Sequence, residues 1–166
     1  MRTCAPGKIP FTARVRPINF FQTPKEITII EESDMQVRHI YLDVPHSANP
    51  APSWYGESAG HYEGDELVID TIGLSDKTFV DFYHTPHTEK LHVVERYKLL
   101  DGGEHMQGTA EIEDPGTFTT KWRALHYYIR HDTAISESES ICAENNSANY
   151  FHEDEWPIPE SGGPDF

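Results

Sequence analysis

The chain reads as an all-β protein, a single β-barrel or sandwich, on three observations. Short runs rich in β-branched and aromatic residues recur with turn residues between them. Several of these runs alternate apolar and polar side chains, as half-buried strands do. No apolar pattern of helical period is sustained, beyond one turn near Ser75 to Phe82. With 166 residues the chain fits one domain with a real core and is short for two of usual size. One antiparallel domain over 1–166 is expected, with an extended lead-in over 1–26, a barrel over 27–143 and an irregular acidic tail over 144–166.

Each element has its own signal. Pro6, Pro10, Pro17 and Pro24 exclude a long helix from the lead-in, while Ile9, Phe11, Val15, Ile18, Phe20 and Phe21 give it apolar surface that a free tail lacks. Ile27 to Glu31 and Gln36 to Leu42 form a first hairpin across Glu32-Ser33-Asp34. The stretch from His46 to Ser53, with Asn49, Pro50 and Pro52, is loop. Ser58 to Tyr62 and Glu66 to Thr71 make a second hairpin around Glu63-Gly64-Asp65, whose glycine suits a tight turn. Leu91 to Leu99 with Met106 to Ile112 form a third, around Asp101-Gly102-Gly103. Lys121 to Arg130 with Ala134 to Cys142 form a fourth, around His131-Asp132-Thr133. Pro157, Pro159, Gly162, Gly163 and Pro164 mark the tail as irregular, with Tyr150, Phe151 and Trp156 available to dock.

Twenty-eight acidic against thirteen basic residues give a formal charge of -15. Such a field repels phosphate backbones and anionic lipid, and the basic residues form no patch to reverse it, so neither nucleic acid nor a membrane surface is an expected partner. No apolar run approaches the roughly 20 residues that cross a bilayer, and the N-terminus lacks the apolar core of a signal peptide. Cys4 and Cys142 allow one disulfide or two free thiols, and neither belongs to a CxxC pair.

Alternation decides which side chains share an interior. On Leu91 to Leu99 the apolar face holds Leu91, Val93, Glu95 and Tyr97, which places a carboxylate inside. Buried carboxylates are either paired or raised in pKa. Glu95 is therefore a structural group held by an arginine such as Arg38 or Arg123, or an acid or base. On Lys121 to Arg130, Trp122, Ala124, His126 and Tyr128 share one face and Arg123, Leu125, Tyr127 and Ile129 the other.

The densest chemistry lies in Asp81 to His92, where three histidines and two carboxylates fall within twelve residues. Histidine titrates near neutrality, so His87 oriented by Asp81 or Glu89 suits acid-base catalysis. His84, His87 and His92 with Glu89 offer donors for a divalent metal, although the spacing matches neither a HExxH helix nor a finger and Pro86 breaks any regular helix. Solvated loop histidines are the third reading. A serine nucleophile elbow, a phosphate-cradling glycine loop and a dinucleotide fingerprint are all missing from the sequence.

The run Arg38-His39-Ile40-Tyr41-Leu42-Asp43, then Pro45-His46, then Trp54 to Thr71, resembles a group of largely uncharacterised bacterial proteins. Asp76-Lys77-Thr78, Asp81, Pro86 to Glu89, Val93 to Tyr97, Asp114-Pro115, Trp122 and Cys142 to Asn145 extend the resemblance, which covers residues 4 to 146. It implies a lipocalin-like (calycin-like) barrel, by analogy and without a function. Many members of the group look exported and carry cysteines near both positions, which favours a Cys4–Cys142 disulfide; for this soluble chain it leaves export and a cytoplasmic location both open. The sequence departs at Tyr62 and Phe79, where the group has tryptophan, and in a shorter Asp43–His46 loop. Both departures bear on pocket shape and hence on substrate.

The expected function is a cofactor-independent enzyme that binds a small, largely apolar molecule in a barrel cavity and moves a proton on it, by isomerisation, cyclisation or elimination. His87 is the principal acid or base, Asp81 its orienting partner, Glu95 a second carboxyl, and Tyr41 and Tyr97 donors to a substrate oxygen. Trp54, Tyr55, His46, Trp122 and His126 line the pocket. A non-catalytic carrier and a metal enzyme built on His84, His87, Glu89 and His92 are the alternatives.

Overall fold

A computed structural model describes residues 9, 17–31, 37–81 and 83–131, all within one compact unit of the chain. They form one sheet of eight strands in sequential order, curled into an open half-barrel, with no α-helix among the described residues. The strands are β1 (Ile18–Gln22), β2 (Glu26–Glu31), β3 (Val37–Leu42), β4 (Glu57–Glu63), β5 (Glu66–Ile72), β6 (His92–Leu100), β7 (His105–Glu113) and β8 (Trp122–Ile129). The first three predicted hairpins are present, as β2–β3, β4–β5 and β6–β7. The strand expected at Ala134 to Cys142, both cysteines and the tail lie outside the described residues.

Two features correct the expected antiparallel barrel and its extended lead-in. The sheet begins inside the predicted lead-in, because β1 pairs along its whole length with β2, from Ile18 opposite Glu31 to Gln22 opposite Ile27. More consequentially, β3 and β4 are parallel, and their register covers only Ile40↔Ser58, Tyr41↔Ala59 and Leu42↔Gly60. A parallel pair needs a crossover, usually a helix. Here the crossover is segment 43–56, and Pro45, Pro50 and Pro52 keep it from becoming one. We call it the strap. Asp43, in the left-handed region at φ 56°, turns the chain out of β3, and its N–H donates to Gly60 O at 2.8 Å. At the far end Ser53 N donates to Gly73 O (3.0 Å), and Ser53 O accepts from Ser75 N (2.9 Å).

Burial alternates along the strands as the pattern requires: Arg38, Ile40 and Leu42 on β3, Val93, Glu95 and Tyr97 on β6, Gly108, Ala110 and Ile112 on β7 face inward. The inner face holds two apolar clusters. One gathers Ile27, Ile29, Ile40, Leu67 and Ile69 around Tyr97; the other gathers Ile9, Leu74, Val80, Leu91, Val93 and Ile112. Glu95 stands between Val93 of the second and Tyr97 of the first, so a polar band separates them. On β8 the Trp122, Ala124, His126 and Tyr128 face is half-buried and the Arg123, Leu125, Tyr127 and Ile129 face is exposed.

The strap enters β4 through Gly56, at φ 63°, where an added Cβ would lie 2.3 Å from the carbonyl oxygen of Ile72. Gly64, in the β4–β5 turn at φ 67°, has open space around it. Gly64→Ala bears only the left-handed strain, about 1–2 kcal/mol. Gly56→Ala also drives a methyl into backbone that cannot move aside, and is expected to lose at least about 3 kcal/mol in urea unfolding. Equal losses for the two variants would contradict this account of the strap's entry into β4.

Candidate functional site

At the centre of the polar band, Arg38 Nη2 donates to Glu95 Oε2 at 2.5 Å and to Thr71 Oγ1 at 2.9 Å, while Nε and Nη2 both approach Ser58 Oγ at 3.2 Å. Tyr97 Oη donates to Glu95 Oε1 at 3.0 Å, and the Ser58 and Thr71 hydroxyls lie 3.0 Å apart. Arg38 is 3% and Glu95 1% exposed. Burial works against the charge on Arg38, but the carboxylate of Glu95 outweighs it and holds the guanidinium pKa above its usual value. Burial, reinforced by Glu95, pushes the Tyr97 phenol well above its ordinary range. Tyr128 is pushed up to about 12 by burial, then by Glu95 and Glu31. Both tyrosines are thus uncharged at neutral pH, and Tyr97 serves as a donor. Of the readings open for Glu95, the structure realises the pairing with Arg38.

Arg38 and Ser58 also line a cleft of about 310 Å³ between β3 and the strap. The cleft exists because the β3–β4 ladder begins only at Ile40, leaving Val37 to His39 splayed from the segment that leads into β4. Tyr41, Tyr55, Pro50 and Ala51 supply its apolar wall, and His39 and Glu57 its polar rim. Arg38 Nη1 is buried and has no hydrogen-bond partner among the described residues.

On the outer face a chain of titratable groups runs from this rim. His46, from the strap, places Nδ1 3.2 Å from Glu57 Oε1 and Nε2 2.8 Å from Asp70 Oδ1. His92 Nε2 lies 3.0 Å from both Asp70 oxygens. The bond from His92 is the main reason that the Asp70 pKa is lowered, and its reciprocal raises that of His92. Glu57 is lowered by hydrogen bonds from Ser47 first and from His46 after them.

The predicted site residues therefore divide. Glu95 and Tyr97 come together inside, on the same half-buried side as Trp122, His126 and Tyr128. Tyr41 does not join them: alternation turns it to the outer face, 49% exposed, and it lines the cleft, whereas Tyr55, which also lines the cleft, packs against the inner cluster of Leu74, Val80 and Val93. Trp54 is a strap residue, 38% exposed, and His46 faces Glu57 and Asp70 rather than His87. His87 is 6% exposed, with Nδ1 donating to Thr88 O at 2.9 Å and Nε2 2.5 Å from Thr78 Oγ1. Asp81 spends its carboxylate on the loop itself, accepting from Tyr83 N, Thr85 N and Thr85 Oγ1, and so does not orient His87. The three histidines of the metal reading disperse as well. His84 packs on Phe79, His87 sits with Thr78 and His92 with Asp70, and no group of three or more metal-binding side chains forms among the described residues.

Sequence reasoning missed two features. Asp114, 1% exposed, ties the 81–91 loop to the end of β7 by accepting from Thr88 N, Thr88 Oγ1, Gly116 N and Thr117 Oγ1. Burial works against its charge, but these donors outweigh it and lower its pKa. The Glu57–His46–Asp70–His92 chain draws on four separate elements, and only its shared face, set by strand alternation, was within reach. No protein-family model matches this sequence, and neither the curated proteins nor the solved structures yield a match.

Removing one member of the buried pair strands the other. Glu95→Ala is expected to lose about 3–5 kcal/mol in denaturant unfolding. Arg38→Met/Glu95→Ala should lose less than the sum of the single variants, with a coupling of about 2 kcal/mol or more. An additive result would mean that the pair does not hold the band. A second expectation concerns pH. Because the His92 pKa is raised from 6.5, its bond to Asp70 stabilises the fold fully below that value and fades as pH rises through the higher folded one. Because the Asp70 pKa is lowered from 3.8, the same bond is lost as pH falls through its folded value. The stability gap between wild type and His92→Gln, within about 1 kcal/mol for so exposed a pair, should shrink between about pH 5.5 and 8.5.

Proposed function

We propose that the protein binds a small, largely apolar molecule in the cleft between β3 and the strap, through an acceptor oxygen that takes up Arg38 Nη1. The observation that carries this reading is a buried arginine lining the cleft with one donor uncommitted among the described residues. Such a donor is stabilised by whatever acceptor reaches it. About 310 Å³ lies at the small end of ligand pockets, which run from roughly 300 to 1,000 Å³, and matches a molecule of about one ring. The tyrosine and proline walls suit an apolar body.

The ligand is neutral in this reading. Glu95 already balances the charge of Arg38, Glu57 stands on the rim, and the chain carries -15, so a carboxylate would meet repulsion that a ketone or amide oxygen would not. The observations favour binding over the proton transfer expected from the sequence. His87 is committed to Thr78 and Thr88, and Glu95 to Arg38 and Tyr97, so neither is presented to the cleft.

Acetophenone, a neutral aryl ketone, and benzoate test the reading by two-dimensional NMR titration. Acetophenone should shift resonances of 37–41 and 50–58 saturably, and benzoate should bind at least about tenfold more weakly. Ala51→Trp, which fills the cleft without touching the buried pair, should abolish the shifts. Shifts confined to the inner face around Tyr128, or binding that survives Ala51→Trp, would overturn the assignment.

A further inference from the structure

The strap forms one wall of the cleft, and between its anchors at Asp43 and Ser53 it is largely exposed. In that span the hydrogen bonds that fix it, among the described residues, come from His46 and from Ser47 N, which donates to Glu57 Oε1 at 2.6 Å. His46 alone bridges two strands, reaching β4 through Glu57 and β5 through Asp70.

Both ring nitrogens of His46 face carboxylate oxygens, and an ionised carboxylate only accepts hydrogen bonds. The arrangement is complete when each nitrogen carries a proton. With one proton gone, a ring lone pair points at a carboxylate lone pair and the contact turns from attraction to repulsion. We propose that His46 is a proton-operated latch on the strap: doubly protonated it ties the strap to β4 and β5 and closes the wall of the cleft, and singly protonated it lets go. The regulatory consequence rests on the reading of the cleft as a ligand site.

The surroundings suit a reversible device. When His46 withdraws, Asp70 still faces His92, whose bond to it weakens only as pH rises through the raised His92 pKa, and Glu57, about 29% exposed at its side chain, passes to water. The charged groups facing the latch are Glu57 on β4, Asp70 on β5 and His92 on β6, with Glu113 on β7 and Lys121 acting on His92 from beyond it. Carboxylates dominate this set. Ser53, bonded to Gly73 and Ser75, remains in place, so release is confined to the part of the strap between the anchors. The proton leaves to solvent.

The Ser47 amide reports the latch directly. In wild type its hydrogen-exchange protection factor, corrected for the intrinsic pH dependence, should fall about tenfold or more between about pH 5.5 and 8.5. Nitrogen shifts of the His46 ring should show two protonated nitrogens at the acid end and one at the other. In His46→Gln the protection should be low and level over the same range, whereas His92→Gln should keep the transition. Acetophenone should bind more weakly to wild type at the alkaline end and without pH dependence to His46→Gln. Level protection of Ser47 in wild type, or a transition that persists in His46→Gln and vanishes in His92→Gln, would overturn the latch. Loss of acetophenone binding at every pH, with the Ser47 transition intact, would instead overturn the reading of the cleft and leave the latch standing.

Discussion

The buried pair of Arg38 and Glu95 is the constraint on which the rest of this sheet depends. Taking two charges out of water is unfavourable unless each is answered, and here each is: Arg38 by Glu95, Ser58 and Thr71, and Glu95 by Arg38 and Tyr97. The network joins β3, β4, β5 and β6 at one level of the inner face. It also replaces backbone pairing that is missing. The β3–β4 ladder stops at Ile40, so the first half of β3 is attached on that side by the Arg38 side chain rather than by main-chain bonds to β4. The cleft is the space left by that substitution. Two apolar strands in register at this point would close it.

The two faces of the sheet carry charge on different terms. Inside, the Arg38–Glu95 pair is desolvated, and the loss of either partner is severe. Outside, Arg96 with Glu63 and Glu66, Arg123 with Glu111, and Lys121 with Glu113 are exposed pairs of the kind that contributes little each. The His46–Asp70–His92 chain lies between these limits, half-buried beneath and beside the strap. That intermediate burial makes it responsive. A fully solvated histidine changes little when it gains a proton, and a fully buried one resists gaining it.

Strand alternation made most of this legible in the sequence. It put Glu95 on the inner face with Val93 and Tyr97, and the turn residues located the β2–β3, β4–β5 and β6–β7 hairpins; the need to pair a buried carboxylate pointed to Arg38 or Arg123 alike, and Arg123 instead lies exposed beside Glu111. The direction of β4 was not legible, because a proline-rich connection between two strands reads alike whether the second runs parallel or antiparallel. That one ambiguity concealed the strap and the cleft with it. The histidine cluster misled for a related reason. His84, His87 and His92 are close in sequence, but Asp81 and His84, the latter at φ 61°, curl the loop tightly, and β6 then begins at His92. Within nine residues the three rings reach a surface contact with Phe79, a buried bond to Thr78 and the outer face at Asp70. Density along a chain means proximity only where the backbone is regular.

Glu57 and Ser58 bring the two faces together. They are adjacent at the start of β4, so the pleat sends their side chains to opposite sides: Ser58 inward to Arg38, Glu57 outward to His46. Gly56, in a conformation that closes against the Ile72 carbonyl, fixes where that alternation starts. Displacing the entry by one residue would exchange the two side chains, placing a carboxylate against the Arg38–Glu95 pair and a hydroxyl beneath the strap. The buried pair would then hold an excess negative charge, and His46 would lose its acceptor on β4. Both the interior network and the fastening of the strap thus rest on the register that the chain adopts between Gly56 and Ser58, where the two parallel strands begin to pair.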